Sequence, residues 1–242
     1  MSQVVGIASP SQARPEISGV YLSFKGEELE IVATDSFRLA ERKIEIKKKG
    51  NFPDELSLII PQKTARELIN VFGEKEEKVK IFVTPNQVMF EAKMKETDHP
   101  QAQIVSRMID GEYPNYKEII PQDFKTKVIV QRQSFLSRVK AANLFSGKIN
   151  KVKIKTDPDK EVLDVFAQSS DLGQSETQVD CKKEGEDTEV SFNSRFFIDG
   201  LLSIKDKDVV FELNGEGGPG VLKPTKNKGF IYVVMPLLKD SE

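Results

Sequence analysis

The sequence predicts an α+β fold built from two copies of one unit, with antiparallel sheets that carry helices on one face. The first observation is a shared layout of strand, helix, charged turn and strand, in residues 56–83 and again in residues 189–213. The second is a pair of matching hairpins, in residues 19–36 and 150–170. The third is that predicted hairpins outnumber the few short helices, which favours antiparallel sheets over a doubly wound parallel sheet.

The two matching helices align with each other at an offset of 132 residues. Pro61 and Asn193 precede them, and both residue types suit the start of a helix. In each helix, apolar residues recur at positions i, i+3, i+4 and i+7, which places them on one face. These predicted core residues are Ala65, Leu68, Ile69 and Phe72 in the first copy and Phe197, Gly200, Leu201 and Ile204 in the second.

The two hairpins alternate apolar and polar residues, as half-buried strands do. Two copies of one unit account for a length of 242 residues better than a single large domain does. We place the junction near the segment IIPQDFKT, where Pro121 ends one unit. The predicted domains are therefore residues 1–122 and 123–242.

The composition is typical of a soluble globular protein, with 38% hydrophobic and 31% charged residues. No apolar run approaches the roughly 18 residues that would span a bilayer. Cys181 is the only cysteine, which excludes an internal disulfide framework and makes a cytoplasmic location the default expectation. The net charge of −2 argues against a protein coated in positive charge, but it leaves room for a basic surface on one face.

One further predicted helix, near residues 132–145, carries Arg132, Arg138 and Lys140 and no acidic residue. Acidic residues concentrate instead in turns such as EKEEK and KKEGEDTE. A basic helix face suits transient contact with phosphates, but an ordinary solvated helix face explains the same pattern equally well. Charge alone does not decide between the two interpretations.

The residue types that carry chemistry in enzymes do not form a recognisable site in this sequence. His99, the only histidine, lies in a polar stretch without a second metal-binding residue nearby. The stretch GEGGPG, Gly215–Gly220, lacks the Gly-Lys-Ser/Thr ending of a phosphate-binding loop. No nucleophile elbow, metal-ligand spacing or paired-carboxylate motif is present. We therefore expect a non-catalytic binding scaffold that needs no cofactor and no metal.

Four motifs resemble those of one family and occur in the same order. VATDSFRLA (residues 32–40) resembles a VATDGHRLA motif, and MIDGEYPNY (108–116) resembles a DGxxPxY segment. VSFNSRFFIDGL (190–201) is similar to an xxFNxxYxxDxL helix entry, and YVVMPLL (232–238) to a C-terminal YxxMPxR. All four are typical of the bacterial sliding clamp family, the beta subunit of DNA polymerase III. The sequence resembles the middle and last of that family's three repeated units.

The resemblance implies the DNA-clamp (processivity) fold, with sheets outside and helices on the inner face of a ring. In the family, two three-unit chains form a homodimeric ring around duplex DNA and contact it without reading its sequence. The ring performs no chemistry and tethers the replicative polymerase, the clamp loader and repair proteins through short linear motifs. Because the first unit's half of the ring interface is not matched here, we expect a monomer or weak oligomer. The alternative to an active ring is a two-domain fragment or regulatory relative that binds partner peptides but does not close on DNA.

The resemblance also implies two sets of site residues. In the family, peptides enter a hydrophobic cleft between the middle and last units. Carried over position by position, the peptide-binding residues are Ile17, Thr34, Ser36, Phe37, Arg38, Leu39, Pro114, Ile119, Ile149, Asn193, Phe196, Pro219, Val233, Val234, Met235, Pro236, Leu237 and Leu238. The DNA-facing residues are Lys63, Arg66, Arg132, Arg138, Lys140 and Arg195. Phe37, Ser36 and Leu238 stand where the family usually has histidine, glycine and arginine, so we expect the peptide preference to differ while the location is kept.

Overall fold

The computed structural model of the chain describes residues 1–11, 13–48, 53–73, 78–94, 97, 99–156 and 161–237. The chain folds as two compact units, Met1–Pro114 (unit 1) and Asn115–Glu242 (unit 2). The division lies somewhat before the junction predicted after residue 122. Across the described ranges, no helix is both long and apolar enough to cross a membrane.

Unit 1 consists of hairpins and one α-helix in its described residues. Its elements are β1 (Gly19–Lys25), β2 (Glu28–Thr34), β3 (Arg38–Glu45), β4 (Glu55–Pro61), α1 (Gln62–Phe72), β5 (Val79–Val83), β6 (Gln87–Lys93) and β7 (Pro100–Arg107). The strands form two antiparallel groups, in the orders β4-β1-β2-β3 and β5-β6-β7. Phe24 of β1 lies opposite Leu29 of β2, which confirms the predicted hairpin.

Unit 2 repeats this plan with an additional strand and helix at its start. Its elements are β8 (Thr126–Gln131), α2 (Arg132–Asn143), β9 (Lys151–Thr156), β10 (Val162–Ser169), β11 (Gly173–Gly185), β12 (Glu189–Asn193), α3 (Ser194–Ser203), β13 (Asp208–Leu213), β14 (Gly220–Pro224) and β15 (Phe230–Val234). The strands follow the order β12-β9-β10-β11-β8-β13-β14-β15, with antiparallel pairing throughout. The predicted α+β class with repeated antiparallel sheets is confirmed.

The long strand β11 joins the two halves of the unit 2 sheet. Its first half pairs with β10 and its second half pairs with β8. Cys181, at the changeover, is buried opposite Val130. Burial is the main cause that raises the pKa of the Cys181 thiol to about 11, so the thiol stays protonated at neutral pH.

Four phenylalanine rings form the centre of the unit 2 core. Phe135 comes from α2, Phe197 from α3, Phe192 from β12 and Phe211 from β13. The Phe197 ring centroid lies 5.2 Å from that of Phe211, 5.3 Å from that of Phe135 and 5.5 Å from that of Phe192. All four side chains are fully buried. Ring pairs of this kind contribute about 0.5–1.5 kcal/mol each beyond the area they bury, so the cluster fixes both helices to the sheet.

The predicted apolar faces of the two matching helices are largely confirmed. In α1 the side chains of Ala65, Leu68 and Phe72 are buried, while Ile69 is only partly covered. In α3 the predicted residues, which run into the C-cap, are all buried: Phe197, Gly200, Leu201 and Ile204.

Gly200 marks the closest approach of α3 to the sheet. A Cβ atom at this position would lie 2.6 Å from Cδ1 of Tyr232 and 2.9 Å from Cδ1 of Leu222. The Tyr232 ring is fully buried and its hydroxyl donates to the Phe196 carbonyl oxygen at 2.7 Å. Since that hydrogen bond ties the ring to α3 itself, the ring cannot move aside without loss.

We expect Gly200→Ala to lower the free energy of unfolding of the protein by about 1–3 kcal/mol, because the added methyl overpacks the contact with Tyr232. The gain of about 1 kcal/mol in helix propensity offsets part of this cost. Urea denaturation followed by circular dichroism measures the change. Gly217→Ala is the matched control, because no atom lies within 4 Å of a Cβ there. Equal stability of the two variants would contradict the close packing.

Candidate functional site

The turn between β2 and β3, Thr34–Arg38 (the Asp35 turn), is organised by one carboxylate. Oδ1 of Asp35 accepts hydrogen bonds from the backbone N–H groups of Phe37 and Arg38, each at 3.0 Å. Oδ2 accepts from Nε of Arg38 at 2.9 Å. The two side chains are only 11% and 12% exposed. Charge-assisted hydrogen bonds in a partly buried setting are the stronger kind, so Asp35 holds the turn in one conformation.

Thr34 and Ser36 complete the turn. The Thr34 hydroxyl donates to the Arg38 carbonyl oxygen at 2.8 Å, and Oγ1 of Thr34 accepts from the Ser36 N–H at 3.1 Å. Ser36 has a φ of 78°, a left-handed conformation that favours glycine. Nη1 of Arg14 donates to the Ser36 hydroxyl at 3.2 Å, from 22 positions earlier in the chain. A residue that resists this conformation is therefore held by two neighbouring groups, the Thr34 hydroxyl and the Arg14 guanidinium.

Phe37 projects from this turn into solvent. Its side chain is 62% exposed, although its backbone N–H is fixed by Asp35. Large aromatic side chains that remain exposed on an ordered backbone are frequent anchors for partner proteins. The Asp35 turn therefore presents a candidate recognition residue.

Tyr113 connects the DGEYPNY segment to this region of unit 1. Its ring stacks on that of Tyr21, with centroids 4.6 Å apart and planes at 13°. Burial is the main cause that raises the pKa of Tyr113 well above its ordinary value. The half-buried Pro114 follows directly.

Two predicted peptide-binding residues of unit 1 belong to its core in this structure. Ile17 ends a short 3-10 helix, Pro15–Ile17, and its side chain is buried. Leu39, the second residue of β3, is fully buried. Both side chains are therefore buried in unit 1, whereas Ser36 and Phe37 are exposed.

In unit 2, the entry to α3 gathers several of the predicted residues. The side chain of Asn193 caps the helix, with Oδ1 accepting from the N–H groups of Arg195 and Phe196 at 3.0 and 3.4 Å, which confirms Asn193 as the helix opener. The Ser194 N–H donates to the Asn150 carbonyl oxygen at 2.7 Å. That contact places the exposed Ile149 next to the helix entry.

The residues Met235–Leu237 (the C-terminal segment) run beside β12, which leads into the same helix entry. The Leu237 N–H donates to the Ser191 carbonyl oxygen at 2.8 Å, and Pro236 forms an isolated bridge with Phe192. The three residues of the segment are partly exposed. The unit 2 surface therefore combines the α3 entry with this segment.

The remaining predicted residues of unit 2 are less uniform. Val233 and Val234 are buried in β15, so they support the C-terminal segment without lying on the surface. Pro219 is half-buried directly before β14. Ile119 is exposed at the end of a 3-10 helix, Tyr116–Ile119, at the start of the unit. Leu238 lies outside the residues that the structure describes.

The predicted DNA-facing residues divide into two groups. The exposed ones are Lys63 and Arg66 on α1, Arg138 and Lys140 on α2, and Arg195 on α3. Arg132 differs, because its Nε donates to the Asp206 carbonyl oxygen at 3.1 Å and its Nη1 to the Leu201 carbonyl oxygen at 3.5 Å. Arg132 thus holds α2 to the region where α3 ends, so its guanidinium has a structural role.

Two residues that hold the candidate surfaces in place, Asp35 and Asn150, were not predicted from the sequence. Aspartate two and three residues before the N–H groups it binds is the pattern of an Asx turn, so the stretch TDSFR contained a usable indication of Asp35. Asn150 has a φ of 53° and offers only its backbone carbonyl to α3, and no local pattern predicts that contact.

Other candidate sites are weaker in the described residues. No group of three or more His, Cys, Asp or Glu side chains with metal-binding geometry occurs in those ranges. An open cavity of about 470 Å³ lies on β9 and β10, lined by Lys151, Lys153, Phe166, Ala167, Gln168 and Ser170. Because Nζ of Lys153 already lies 2.9 Å from Oε1 of Glu189, its charge is matched within the protein.

Comparison with known proteins identifies the family. The model of the DNA polymerase III beta subunit central domain matches residues 1–115, and that of its C-terminal domain matches residues 117–238. The chain belongs to the DNA polymerase III beta subunit family. This confirms the resemblance drawn from the four motifs.

Individual beta subunits agree in sequence and in fold. The beta sliding clamp of Bacillus subtilis is 30% identical over 240 residues, which are 97% of this chain and 60% of that protein. The crystal structure of the sliding clamp from Bacillus subtilis superposes with a TM-score of 0.87 at 28% identity, covering 98% of this chain and 60% of that one. The beta subunit structure from Thermotoga maritima gives 0.87 at 27% identity, with 98% and 62% covered. The chain thus spans about 60% of the length of the relatives it matches.

We expect Asp35→Ala to loosen the Asp35 turn and to destabilise unit 1 by about 1.5–3 kcal/mol, because it leaves two N–H groups and a half-buried guanidinium without their acceptor. Limited trypsin digestion read by mass spectrometry measures the local effect as faster cleavage after Arg38. Asp110→Ala is the control, since it removes an exposed carboxylate from the same unit. Cleavage after Arg38 at the wild-type rate would show that Asp35 does not order the turn.

Proposed function

We propose that this chain serves as the partner-binding part of a sliding clamp. It contacts duplex DNA without reading sequence, and it tethers the replicative polymerase, the clamp loader and repair proteins through short peptides. The peptides bind at the Asp35 turn and at the C-terminal segment. The role is non-catalytic, requires no cofactor and belongs to the cytoplasm. Relatives that match along almost the whole of this chain are named beta sliding clamp.

The observation that carries the peptide-binding role is the exposed Phe37 on an ordered turn. An aromatic ring has few rotatable bonds, so it gains contact area at low entropic cost when a partner covers it. The hydrogen bonds of Asp35 fix the backbone of Phe37 before any partner arrives, which reduces the ordering cost of binding. The partly exposed Met235 supplies an adaptable apolar contact in the C-terminal segment.

The contact with DNA rests on the exposed cations of the three helices. Arg138 and Lys140 lie on α2, whose opposite face is buried against the sheet. Flexible basic side chains on rigid helices suit sequence-independent contact with phosphates. The overall charge of −2 limits this attraction, as a protein that slides along DNA requires.

Calorimetric titration with a Gln-Leu-x-Leu-Phe peptide tests the peptide-binding role. We expect saturable binding at a ratio of one to one, and a loss of at least about tenfold in affinity for Phe37→Ala, because buried aromatic anchors dominate such interfaces. Met235→Ala should weaken binding through the C-terminal segment. Arg38→Ala is a less specific probe, because it also removes the partner of Asp35.

Leu172→Ala is the matched control for the titration, since it truncates a similarly exposed apolar side chain on the β10–β11 turn. It should bind the peptide as the wild type does. Wild-type affinity in a folded Phe37→Ala variant would refute the assignment of this turn.

Retention on DNA separates the two forms of the proposed function. A chain that closes a ring remains on nicked circular DNA and is lost when the DNA is linearised. A peptide-binding relative that does not encircle DNA is retained equally on both forms. Light scattering on the same samples gives the assembly state, for which we expect a monomer or weak oligomer at micromolar concentration.

A further inference from the structure

The loop between β13 and β14, residues 214–219 (the Asn214 loop), contains the only Asn-Gly pair of the sequence. The hydrogen-bonded ladder between the two strands ends at the pair of Glu212 and Val221, so the loop lies outside it. The side chain of Asn214 is exposed. The loop therefore presents an asparagine to water directly before Gly215.

An asparagine that precedes glycine can react with its own backbone, because no side chain on the glycine hinders the approach. The glycine peptide nitrogen loses its proton to hydroxide and attacks the side-chain amide carbon. The new C–N bond closes a five-membered succinimide ring, and the side-chain nitrogen takes a proton from water and leaves as ammonia. Water then opens the ring at either carbonyl group and leaves aspartate or isoaspartate. The whole reaction consumes one water and releases one ammonia.

Gly215 meets the requirements of the attacking residue. Its φ of 81° lies in the left-handed region, and outside its chain neighbours no atom lies within 4 Å of the place of a Cβ. In the described part of the chain, neither the Gly215 N–H nor the side-chain amide of Asn214 makes a hydrogen bond. The two reacting groups are therefore free to approach each other.

The N–H groups that follow other asparagines of unit 2 are already engaged. The Ser194 N–H, after Asn193, donates to the Asn150 carbonyl oxygen at 2.7 Å. The Lys151 N–H, after Asn150, donates to the Ser146 carbonyl oxygen at 3.1 Å. A nitrogen held in this way has to break its hydrogen bond before it can attack. The fold thus protects these asparagines and leaves the one in the loop unprotected.

We infer that Asn214 is a site of spontaneous deamidation in the folded protein. Water is the co-reactant, and no enzyme is needed. Each conversion adds one negative charge to a chain whose net charge is −2. The modification accumulates with the age of the molecule, so a preparation becomes a mixture of charge forms.

The structure accommodates the product in the loop. Isoaspartate places one additional carbon atom in the main chain. The start of β14 cannot shift to absorb it, since a Cβ on Gly220 would lie only 2.8 Å from Cζ of Phe192. The loop has room, because no atom outside the chain neighbours lies within 4 Å of a Cβ on Gly215 or Gly217. The deamidated protein therefore keeps its fold.

The test incubates the full chain at neutral pH and body temperature and follows each asparagine by peptide mapping with mass spectrometry. We expect Asn214 to deamidate severalfold faster than Asn150 and Asn193, and faster still as the hydroxide concentration rises. Electron-transfer fragmentation distinguishes isoaspartate from aspartate, and both should be present because the ring opens at either carbonyl. Aspartate without isoaspartate would exclude the ring and overturn the proposed reaction.

The same incubation in guanidinium chloride isolates the effect of the fold. Asn150 and Asn193 should react faster there than in the folded protein, because the N–H groups after them lose their partners. Asn214 should react at a similar rate in both states. An Asn214 that reacts in the unfolded chain but stays intact in the folded protein would overturn the proposal.

Two variants connect the new charge to this residue. Asn214→Gln is the matched control, because its longer side chain would have to close a six-membered ring, which is slower. It should keep its elution position on anion exchange during incubation, whereas aged wild type should elute with Asn214→Asp. An equal gain of negative charge in Asn214→Gln and in the wild type would overturn the assignment to Asn214.

Discussion

Burial of one face of each antiparallel sheet under helices is the constraint on which the rest of the structure depends. In unit 2 it is met by four phenylalanine rings, two from helices and two from strands, whose centroids lie 5.2–6.1 Å apart in the pairs that touch. Because the rings hold both helices to the sheet, the opposite faces of the helices remain free to carry charge. The same arrangement fixes the ends of β12 and the start of α3, and these ends carry the candidate surface of the unit. Residues of the candidate surface can therefore vary at these ends while the core stays packed.

Most of the fold could be predicted from the sequence, because residues buried on one face of a helix or strand recur at a regular spacing. Alternation predicted the hairpins, and the i, i+3, i+4, i+7 pattern predicted the buried faces of α1 and α3, including the glycine at Gly200. Periodicity does not explain why this position must be glycine. The reason is the Tyr232 ring, which lies on a strand about thirty residues later and leaves no room for a Cβ atom. The division between the units was also harder to place than the elements, because Pro121 resembles a boundary residue although the units divide between Pro114 and Asn115.

The location of the candidate surfaces stays a prediction, which the motifs place at the Asp35 turn and the C-terminal segment. Residue patterns alone did not distinguish exposed residues from buried ones at these places. Ile17 and Leu39 are core residues of unit 1, and Arg132 binds backbone carbonyls near the end of α3. Such distinctions depend on contacts between residues far apart in the chain, such as the one from Arg14 to Ser36. A single sequence reports which residue types are present at a site, whereas their burial follows only from the packed structure.

Exposure of an aromatic side chain at a binding surface requires a source of order other than packing. Inside the core, Phe135 and Phe197 are held by their neighbours. Phe37 is 62% exposed, and the backbone that carries it is held by the Asp35 carboxylate, beside Ser36 in its left-handed conformation. A left-handed residue other than glycine costs about 1–2 kcal/mol, which the hydrogen bonds of Asp35 and Thr34 can offset. The hydrogen bonds of this five-residue turn thus preorganise Phe37, the proposed recognition residue, without any change in the core.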